Sequence, residues 1–219
     1  MRESYEYHTP VLVEEVLNFI PHIRDGVFLD GTLGGGGHFR AMDEQLDAAG
    51  TLIGIDRDSE AVHWNRDRVP SCRPAVILEQ ARFSEFDKVL ERHGISSLDG
   101  MFLDLGVSSH QIDSPVRGFS YLQEGDLDMR MDPSSGIPAS ELINTSSAAE
   151  LAAILRDFGE VEGAVKIAAA IKSRGRERPI LTAADLRACC VKSLSNPLSI
   201  KLCAKIFQAL RIAVNDELG

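Results

Sequence analysis

Residues 28–38 read Phe-Leu-Asp-Gly-Thr-Leu-Gly-Gly-Gly-Gly-His, an apolar run that ends in an acid and continues into four glycines. A glycine-rich turn directly after a strand lets the backbone approach a ligand closely, because glycine adopts dihedral angles that a Cβ forbids. A pyrophosphate would gain nothing from the carboxylate of Asp30, since anions favour backbone N–H groups at a helix N-terminus. The stretch therefore predicts a strand, a ligand-binding turn and a ligand with a positive group near Asp30.

The composition is that of a globular protein. The chain has 219 residues, of which 44% are hydrophobic, so it can bury a core as one domain or two small ones. No apolar run approaches the roughly 20 residues that span a bilayer, and residues 1–7 lack the apolar region of a signal peptide. We therefore expect a cytoplasmic protein with no membrane partner. Its cysteines fit neither a Cys-x-x-Cys pair nor a zinc spacing, so we expect free thiols and no metal at Cys72, Cys189, Cys190 and Cys203.

The charge distribution leaves nucleic-acid binding open. A net charge of −10 argues against it. Residues 166–178, however, hold five cations and one acid. These cations could form a phosphate-facing patch, with a solvated helix end as the alternative. They are Lys166, Lys172, Arg174, Arg176 and Arg178.

Short β-type runs alternate with helical stretches in the first half of the chain, which predicts a parallel sheet with covering helices. The predicted strands are Val27–Asp30, Thr51–Asp56, Ala75–Glu79 and Met101–Leu105, and the predicted helices cover 37–49, 59–65 and 83–93, with Ser59 as an N-cap. Residues 107–138 carry repeated Pro and Gly and predict a loop. The pattern that follows is helical only, over 140–158, 160–173, 182–194 and 198–214, with a break expected at Gly175 and Pro179. The sequence predicts a half-sheet followed by a helical module.

Three of the predicted strands bring an acid to the same edge of the sheet, namely Asp30, Asp56 and Asp104. Ligands bind at the carboxyl ends of the strands in open α/β sheets. Asp56 follows Gly37 by 19 residues, an interval typical of an acid that holds ribose hydroxyls. The alternative is that each acid caps the helix that follows it.

The glycine spacing separates two ligand classes. The dinucleotide fingerprint Gly-x-Gly-x-x-Gly fails here, because its third position is Phe39. A nicotinamide enzyme is therefore the second choice. S-adenosylmethionine carries an ammonium and a sulfonium group, and an acid at Asp30 suits it. We therefore predict a methyl-donor site.

Several motifs along the whole chain carry a family resemblance. The longest are Asp-Leu-Gly-Val-Ser-Ser at 104–109 and Leu-Asp-Met-Arg-Met-Asp-Pro at 127–133. The chain resembles the bacterial 16S ribosomal RNA cytosine-N4 methyltransferases of the MraW (RsmH) type. Shorter matching segments lie at 7–12, 30–38, 55–58, 117–120 and 207–212.

The resemblance implies a class I methyltransferase fold, a Rossmann-like parallel sheet with a helical domain inserted after the fourth strand. It implies S-adenosylmethionine as methyl donor and 16S ribosomal RNA, or the small ribosomal subunit, as partner. In these terms residues 1–110 form the donor-binding α/β domain. Residues 111–207 form the connecting loop and the inserted domain, and residues 208–219 begin the helix that returns to the sheet.

The resemblance also implies the residues of the site. Donor contacts are expected at Gly36, Gly37, His38, Asp56, Phe83, Asp104 and Gln111. Asp30 is added from its own chemistry, as the partner of the donor's ammonium group. Core packing is the alternative for Phe83. Apart from the resemblance, the basic side chains suggest contacts to RNA from His8, Arg117, Arg130, Lys172, Arg174 and Arg176, with a structural histidine as the alternative for His8.

Asp104 is the predicted catalytic residue. Cytosine N4 is a poor nucleophile because its lone pair is delocalised into the ring, and an acceptor for its N–H would localise that pair. Many amino methyltransferases place an Asp/Asn/Ser-Pro-Pro-aromatic motif here, whereas this chain has Asp-Leu-Gly-Val at 104–107. Only the acid is shared, so a role for Asp104 in donor binding alone is the alternative.

The sequence ends at Gly219, and we expect it to lack the C-terminal strands of the family. The fourth strand would then be an uncovered edge with unpaired backbone groups. Two hypotheses follow. The chain is a working RNA methyltransferase, with a homodimer as one way to complete its sheet, or it is a truncated, non-catalytic remnant that binds donor or RNA.

Overall fold

The computed structural model describes residues 10–19, 24–68, 75–192 and 199–218. The chain divides into two compact units, Met1–His110 and Gln111–Gly219. The described part of the first unit contains α1 (Val13–Phe19), β1 (Val27–Asp30), α2 (Gly37–Asp43), β2 (Thr51–Asp56), α3 (Ser59–Arg66), β3 (Ala75–Gln80), α4 (Phe86–Arg92) and β4 (Gly100–Phe102). Helix α5 (Ser109–Asp113) contains the boundary between the units.

The first unit is built on a four-stranded parallel sheet in the order β3-β2-β1-β4. Alternate residues of each strand point to opposite faces. Phe28 and Leu52 accordingly pack on one side with Phe39 of α2, while Leu29 and Ile53 pack on the other side with the helix α4. The predicted α/β class with a parallel sheet is confirmed.

Some predicted boundaries in this unit were wrong. Strand β4 ends at Phe102 and not at Leu105, because the next N–H groups leave the ladder. Helix α2 ends at Asp43, and α4 is preceded by a short 3₁₀ turn over Phe83–Glu85. The N-cap of α3 is Asp58 and not Ser59, since its carboxylate accepts from the N–H of Glu60.

The described part of the second unit is helical. It contains α6 (Ala139–Thr145), α7 (Ala148–Gly159), α8 (Ala164–Glu177), α9 (Ala183–Lys192) and α10 (Ser199–Asn215). Helix α7 packs against α8 and α10, and a Cβ on Gly159 would lie 2.6 Å from the carbonyl oxygen of Lys205, so α7 and α10 are in close contact. None of the described helices is long and apolar enough to cross a membrane.

The helical region differs from the prediction in detail. The expected helix at 140–158 is two helices, because Ser147 and Glu150 form a capping box that starts α7. The break expected at Gly175 and Pro179 occurs at Pro179, since α8 continues through Gly175 to Glu177 and α9 begins at Ala183. The expected loop-like region at 107–138 contains no long element, only the short α5 and a 3₁₀ turn over Pro115–Arg117.

Candidate active site

The turn after β1 depends on its glycines. Gly34 and Gly36 have φ angles of 48° and 72°, in the left-handed region that residues with a Cβ seldom adopt. Gly36 is the N-cap of α2, and its N–H donates to the carbonyl of Leu33 at 2.7 Å. The chain thus passes from a buried strand into a helix through a tight turn.

Asp56, at the end of β2, binds this turn. Its Oδ2 accepts from the N–H of Gly34 and its Oδ1 from the N–H of Asp58, both at 2.8 Å. Burial raises the pKa of Asp56 to about 6, while those two backbone hydrogen bonds act in the opposite direction. Each carboxylate oxygen has two lone pairs, so each can accept one further hydrogen bond.

Asp30, at the end of β1, is 1% exposed. Its Oδ1 accepts from the N–H of Thr32 at 3.0 Å. Burial raises the pKa of Asp30 to about 7, with smaller increases from the carboxylates of Asp56 and Asp104 and a decrease from the Thr32 hydrogen bond. The structure therefore brings the three predicted acids close enough to influence one another.

Asp104 lies in the loop after β4 and is exposed. Its N–H donates to Thr32 Oγ1 at 2.7 Å, which ties this loop to the end of β1. In the sheet register Asp30 lies level with Gly54 and Phe102, so Asp56 and Asp104 each stand two residues further along the chain. All three acids therefore reach the carboxyl edge of the sheet.

Two other predicted donor contacts lie around the turn. His38 is buried, its Nε2 is 2.9 Å from the carbonyl oxygen of Val11, and its ring centroid is 4.6 Å from that of Phe102. A Cβ on Gly37 would lie 2.6 Å from Pro10 Cγ, so the chain before α1 lies against the turn. These contacts give His38 and Gly37 a structural role in packing the segment before α1 against the turn.

Phe83 stands beside the end of β1. A Cβ on Gly31 would lie 3.3 Å from Phe83 Cβ and 2.4 Å from Leu103 Cδ2. Gly31 therefore allows the segments that follow β3 and β4 to approach the end of β1 closely. Phe83 is only partly buried and stands beside the end of the strand that carries Asp30.

Sequence reasoning missed three residues that hold the site together. The first is Thr32, which contacts both Asp30 and Asp104. The others are Asn65, whose Nδ2 donates to the carbonyl of Gly34 at 2.9 Å, and Arg40, whose Nη1 donates to the carbonyl of Gly35 at 2.9 Å. Thr32 could have been found from its place between acid and glycines, but Asn65 lies 31 residues away from its partner and gave no signal.

In the second unit, Arg117 and Arg130 engage protein groups. Arg117 is 5% exposed, and its Nη2 donates to the carbonyls of Arg130 and Met131 at 3.1 and 3.0 Å. The guanidinium of Arg130 binds both oxygens of Asp128, at 2.7 and 2.8 Å. Burial does not favour the predicted RNA contact of Arg117, whereas Arg130 remains partly accessible.

Other predicted contacts vary in exposure. Lys172 Nζ donates to the carbonyls of Ile143 and Asn144 at 2.8 and 2.9 Å and so caps the end of α6. Arg174 Nη1 lies 3.7 Å from Glu177 Oε2. Arg176 is exposed on α8, and Gln111 is buried at the start of the second unit.

His8, which was also predicted to contact RNA, lies outside the described residues. No described group of three or more His, Cys, Asp or Glu residues could hold a metal ion.

A parallel sheet, a glycine turn after its first strand and acids at its carboxyl edge define a Rossmann-like α/β domain with a small-ligand site. The family model of the MraW methylase family matches residues 5–219. The chain therefore belongs to the MraW methylase family, as its motifs predicted. Methyltransferases of this family use S-adenosylmethionine as methyl donor.

Similar proteins support the same assignment. The chain is 44% identical to the ribosomal RNA small subunit methyltransferase H of Prosthecochloris aestuarii over 97% of its length and 67% of that protein. It is 44% identical to the protein of the same name from Geotalea uraniireducens, over 97% of the chain and 69% of that protein. The protein of that name from Methylibium petroleiphilum is 43% identical, over 96% of the chain and 67% of that protein. The chain thus spans about two thirds of the length of these relatives.

Proposed function

We propose that the chain binds S-adenosylmethionine at the carboxyl edge of its sheet and methylates the exocyclic N4 amine of a cytosine in small-subunit ribosomal RNA. The observation that carries this proposal is the cluster of Asp30, Asp56 and Asp104 around the glycine turn. The relatives' name, ribosomal RNA small subunit methyltransferase H, supports the substrate class.

The residues of the first unit fit such a donor. Asp56 has one acceptor position left on each oxygen, which matches the two hydroxyls of a ribose. Asp30 is an acid without a cationic partner among the groups that shift its pKa, and a bound ammonium would favour its ionised form. Phe83 is partly exposed, and its aromatic ring would offer a face to an adenine. Further contacts are proposed at Gly36, Gly37, His38 and Gln111.

Asp104 is the group that we propose to act on the cytosine. When bound, the donor supplies a methyl group on a sulfonium. Methylation of an amine is an in-line displacement, so alignment of the acceptor nitrogen contributes much of the rate. The exposed carboxylate of Asp104 can accept a hydrogen bond from the N4 amine, which localises the nitrogen lone pair and holds the proton that must leave. The contact of its backbone N–H with Thr32 fixes the position of this loop.

We propose RNA contacts at Arg176, Arg174 and Arg130, which the structure leaves at least partly accessible, and at His8. Phosphate contacts weaken with salt in proportion to the number of cations involved. Arg176→Ala should therefore lower the affinity for small-subunit RNA and flatten its salt dependence. Arg156→Ala is a matched control, because this exposed arginine on α7 already pairs with Asp157 at 2.7 Å.

The proposed function is tested by incubating the purified chain with labelled S-adenosylmethionine and immature small ribosomal subunits. Label at cytosine N4 that is lost in Asp104→Asn, with donor affinity retained, supports the enzyme and the catalytic role of Asp104. Donor binding without incorporation supports the non-catalytic alternative. Binding of NADH in place of S-adenosylmethionine would contradict the donor site itself.

We also propose that two copies associate through β4. This strand lies at the edge of the described sheet; Met101 within it is 40% exposed, and Leu103, the residue after it, is 37% exposed. Unpaired edge strands with apolar side chains are prone to pair with another chain. Sedimentation equilibrium should give a dimer for the unmodified chain and a monomer for Met101→Lys. A monomeric unmodified chain, or a dimer that Met101→Lys leaves intact, would contradict association through β4. We propose the cytoplasm as the compartment, since the substrate is ribosomal RNA.

A further inference from the structure

Asn65 lies on α3, 0% exposed, and faces the glycine turn. Its Nδ2 donates to two carbonyls, that of Gly34 at 2.9 Å and that of Ala61, one helical turn earlier, at 2.8 Å. Its Oδ1 lies 3.5 Å from Arg40 Nη1, and this nitrogen in turn donates to the carbonyl of Gly35. The carboxamide thus joins α3, α2 and the turn.

The turn is packed directly on this carboxamide. A Cβ on Gly36 would lie 1.9 Å from Asn65 Oδ1, so only a glycine leaves room for it. Gly34 is fixed from two sides, because its N–H donates to Asp56 and its carbonyl accepts from Asn65. The conformation of the turn is therefore set by the residue on α3 as well as by the acid at the end of β2.

The same arrangement occurs twice in the second unit. Asn144 Nδ2 donates to the carbonyl of Ser140 on its own helix and to that of Ile180. Asn215 Nδ2 donates to the carbonyl of Arg211 on its own helix and to that of Met129. In each case an asparagine fastens a helix to a distant loop. Asn65 does so at the loop that borders the cluster of acids in the first unit.

We infer that Asn65 is a positioning residue for the methyl-donor site. It holds the carbonyl of Gly34 and thereby keeps the turn in the conformation that receives the donor, without contacting the donor itself. This inference rests on the proposed function. A site that is preorganised by buried hydrogen bonds loses affinity when one of them is removed, because binding must then order the turn.

The test compares Asn65→Ala with Asn144→Ala, which removes the same two-carbonyl arrangement far from the donor residues in the sequence. Both variants should lose stability in urea unfolding. Only Asn65→Ala should raise the dissociation constant and the KM for S-adenosylmethionine, by about tenfold, which is the effect of one buried hydrogen bond. Its kcat at saturating donor and its KM for RNA should stay within about twofold of the unmodified chain.

Asn65→Ser covers the case in which Asn65→Ala does not fold. Serine is uncharged, and its hydroxyl can still donate to the carbonyl of Ala61 one turn earlier in α3, but its single hydrogen and short side chain do not serve the carbonyl of Gly34 as well. It should therefore keep α3 folded and show the same raised KM. Unchanged donor affinity in a folded Asn65 variant would overturn this inference alone. An unmodified chain that does not bind the donor would overturn the proposed function and this inference together.

Discussion

The backbone N–H of Gly34 donates to Asp56 Oδ2 at 2.8 Å, so the turn after the first strand is fastened to the end of the second. This contact links the two features that predicted the site, the glycines and the acid that follows them. It also means that Asp56 has a structural role before any ligand arrives. Substitutions at Asp56 should therefore disturb the turn as well as the ribose contact.

Asp56→Asn should raise the dissociation constant for S-adenosylmethionine by about tenfold to a hundredfold, the effect of lost hydrogen bonds to a charged group. An amide has a single oxygen, so it cannot accept from both Gly34 and Asp58 through separate oxygens as the carboxylate does. Titration calorimetry measures the change. Asp47→Asn is the control, since Asp47 is exposed and lies 3.8 Å from Arg24. Equal affinities for the two variants would contradict the role of Asp56.

Asp30 should make stability depend on pH. Its pKa in the folded chain is about 7, against an ordinary value of 3.8, so the folded chain holds the proton over a range in which the unfolded chain has lost it. The free energy of unfolding should therefore fall as pH rises from about 4 to about 7. Urea unfolding at several pH values should show that the free energy of unfolding falls less steeply with pH for Asp30→Asn than for the unmodified chain. Identical slopes would show that Asp30 does not titrate in this range.

The same acid predicts proton release on donor binding. At pH 6 the carboxyl of Asp30 is mainly protonated, and an ammonium beside it favours the ionised form. Binding should then release up to about one proton, and the affinity should increase between pH 5 and 7. Calorimetry in two buffers with different ionisation enthalpies counts the protons. Asp30→Asn should release fewer, and an equal release from both chains would assign the proton to another group.

The strands were predictable because their limits are local. The predicted bounds of β1 and β2 agree with the structure, since each is an apolar run that starts after glycine or threonine signals and ends in an acid. The end of β4 was not predictable in this way. Leu103 continues the apolar run up to the acid, but the N–H of Asp104 donates to Thr32 Oγ1, a contact between residues 72 positions apart. Such long-range hydrogen bonds leave no periodic pattern in the sequence.

The acids of the site were found from the sequence because residue type, strand ends and spacing all pointed to one edge. Residues that act through side-chain contacts were not distinguished in this way. Arg117 was predicted to contact RNA, yet its guanidinium donates to the carbonyls of Arg130 and Met131. A basic residue in a loop has the same sequence signal whether it reaches a phosphate or satisfies buried carbonyls. Only the packing of the loop decides between these roles.

Gly36→Ala should destabilise the chain more than Gly94→Ala. Both glycines have left-handed φ angles, 72° and 68°, so both variants lose roughly 1–2 kcal/mol from backbone strain. A Cβ on Gly94 meets nothing within 4 Å, whereas one on Gly36 would lie 1.9 Å from Asn65 Oδ1. Asn65 cannot move aside cheaply, because it is held by two carbonyls. Urea unfolding of both variants measures the difference, and equal losses would mean that the contact relaxes freely.

Thr32→Val should lower kcat measured at saturating donor. Valine keeps the shape of threonine and the backbone N–H that donates to Asp30, but it removes the hydroxyl that hydrogen-bonds Asp30 and accepts from the N–H of Asp104. The loop that carries the proposed catalytic carboxylate then loses a 2.7 Å anchor, and poorer alignment of the amine should reduce kcat by about tenfold. Thr145→Val is the matched control, because Thr145 is exposed and its hydroxyl donates only to the carbonyl of Glu141 in the same helix. Single-turnover methylation at saturating donor measures the effect, and equal rates for the two variants would show that catalysis does not depend on this anchor.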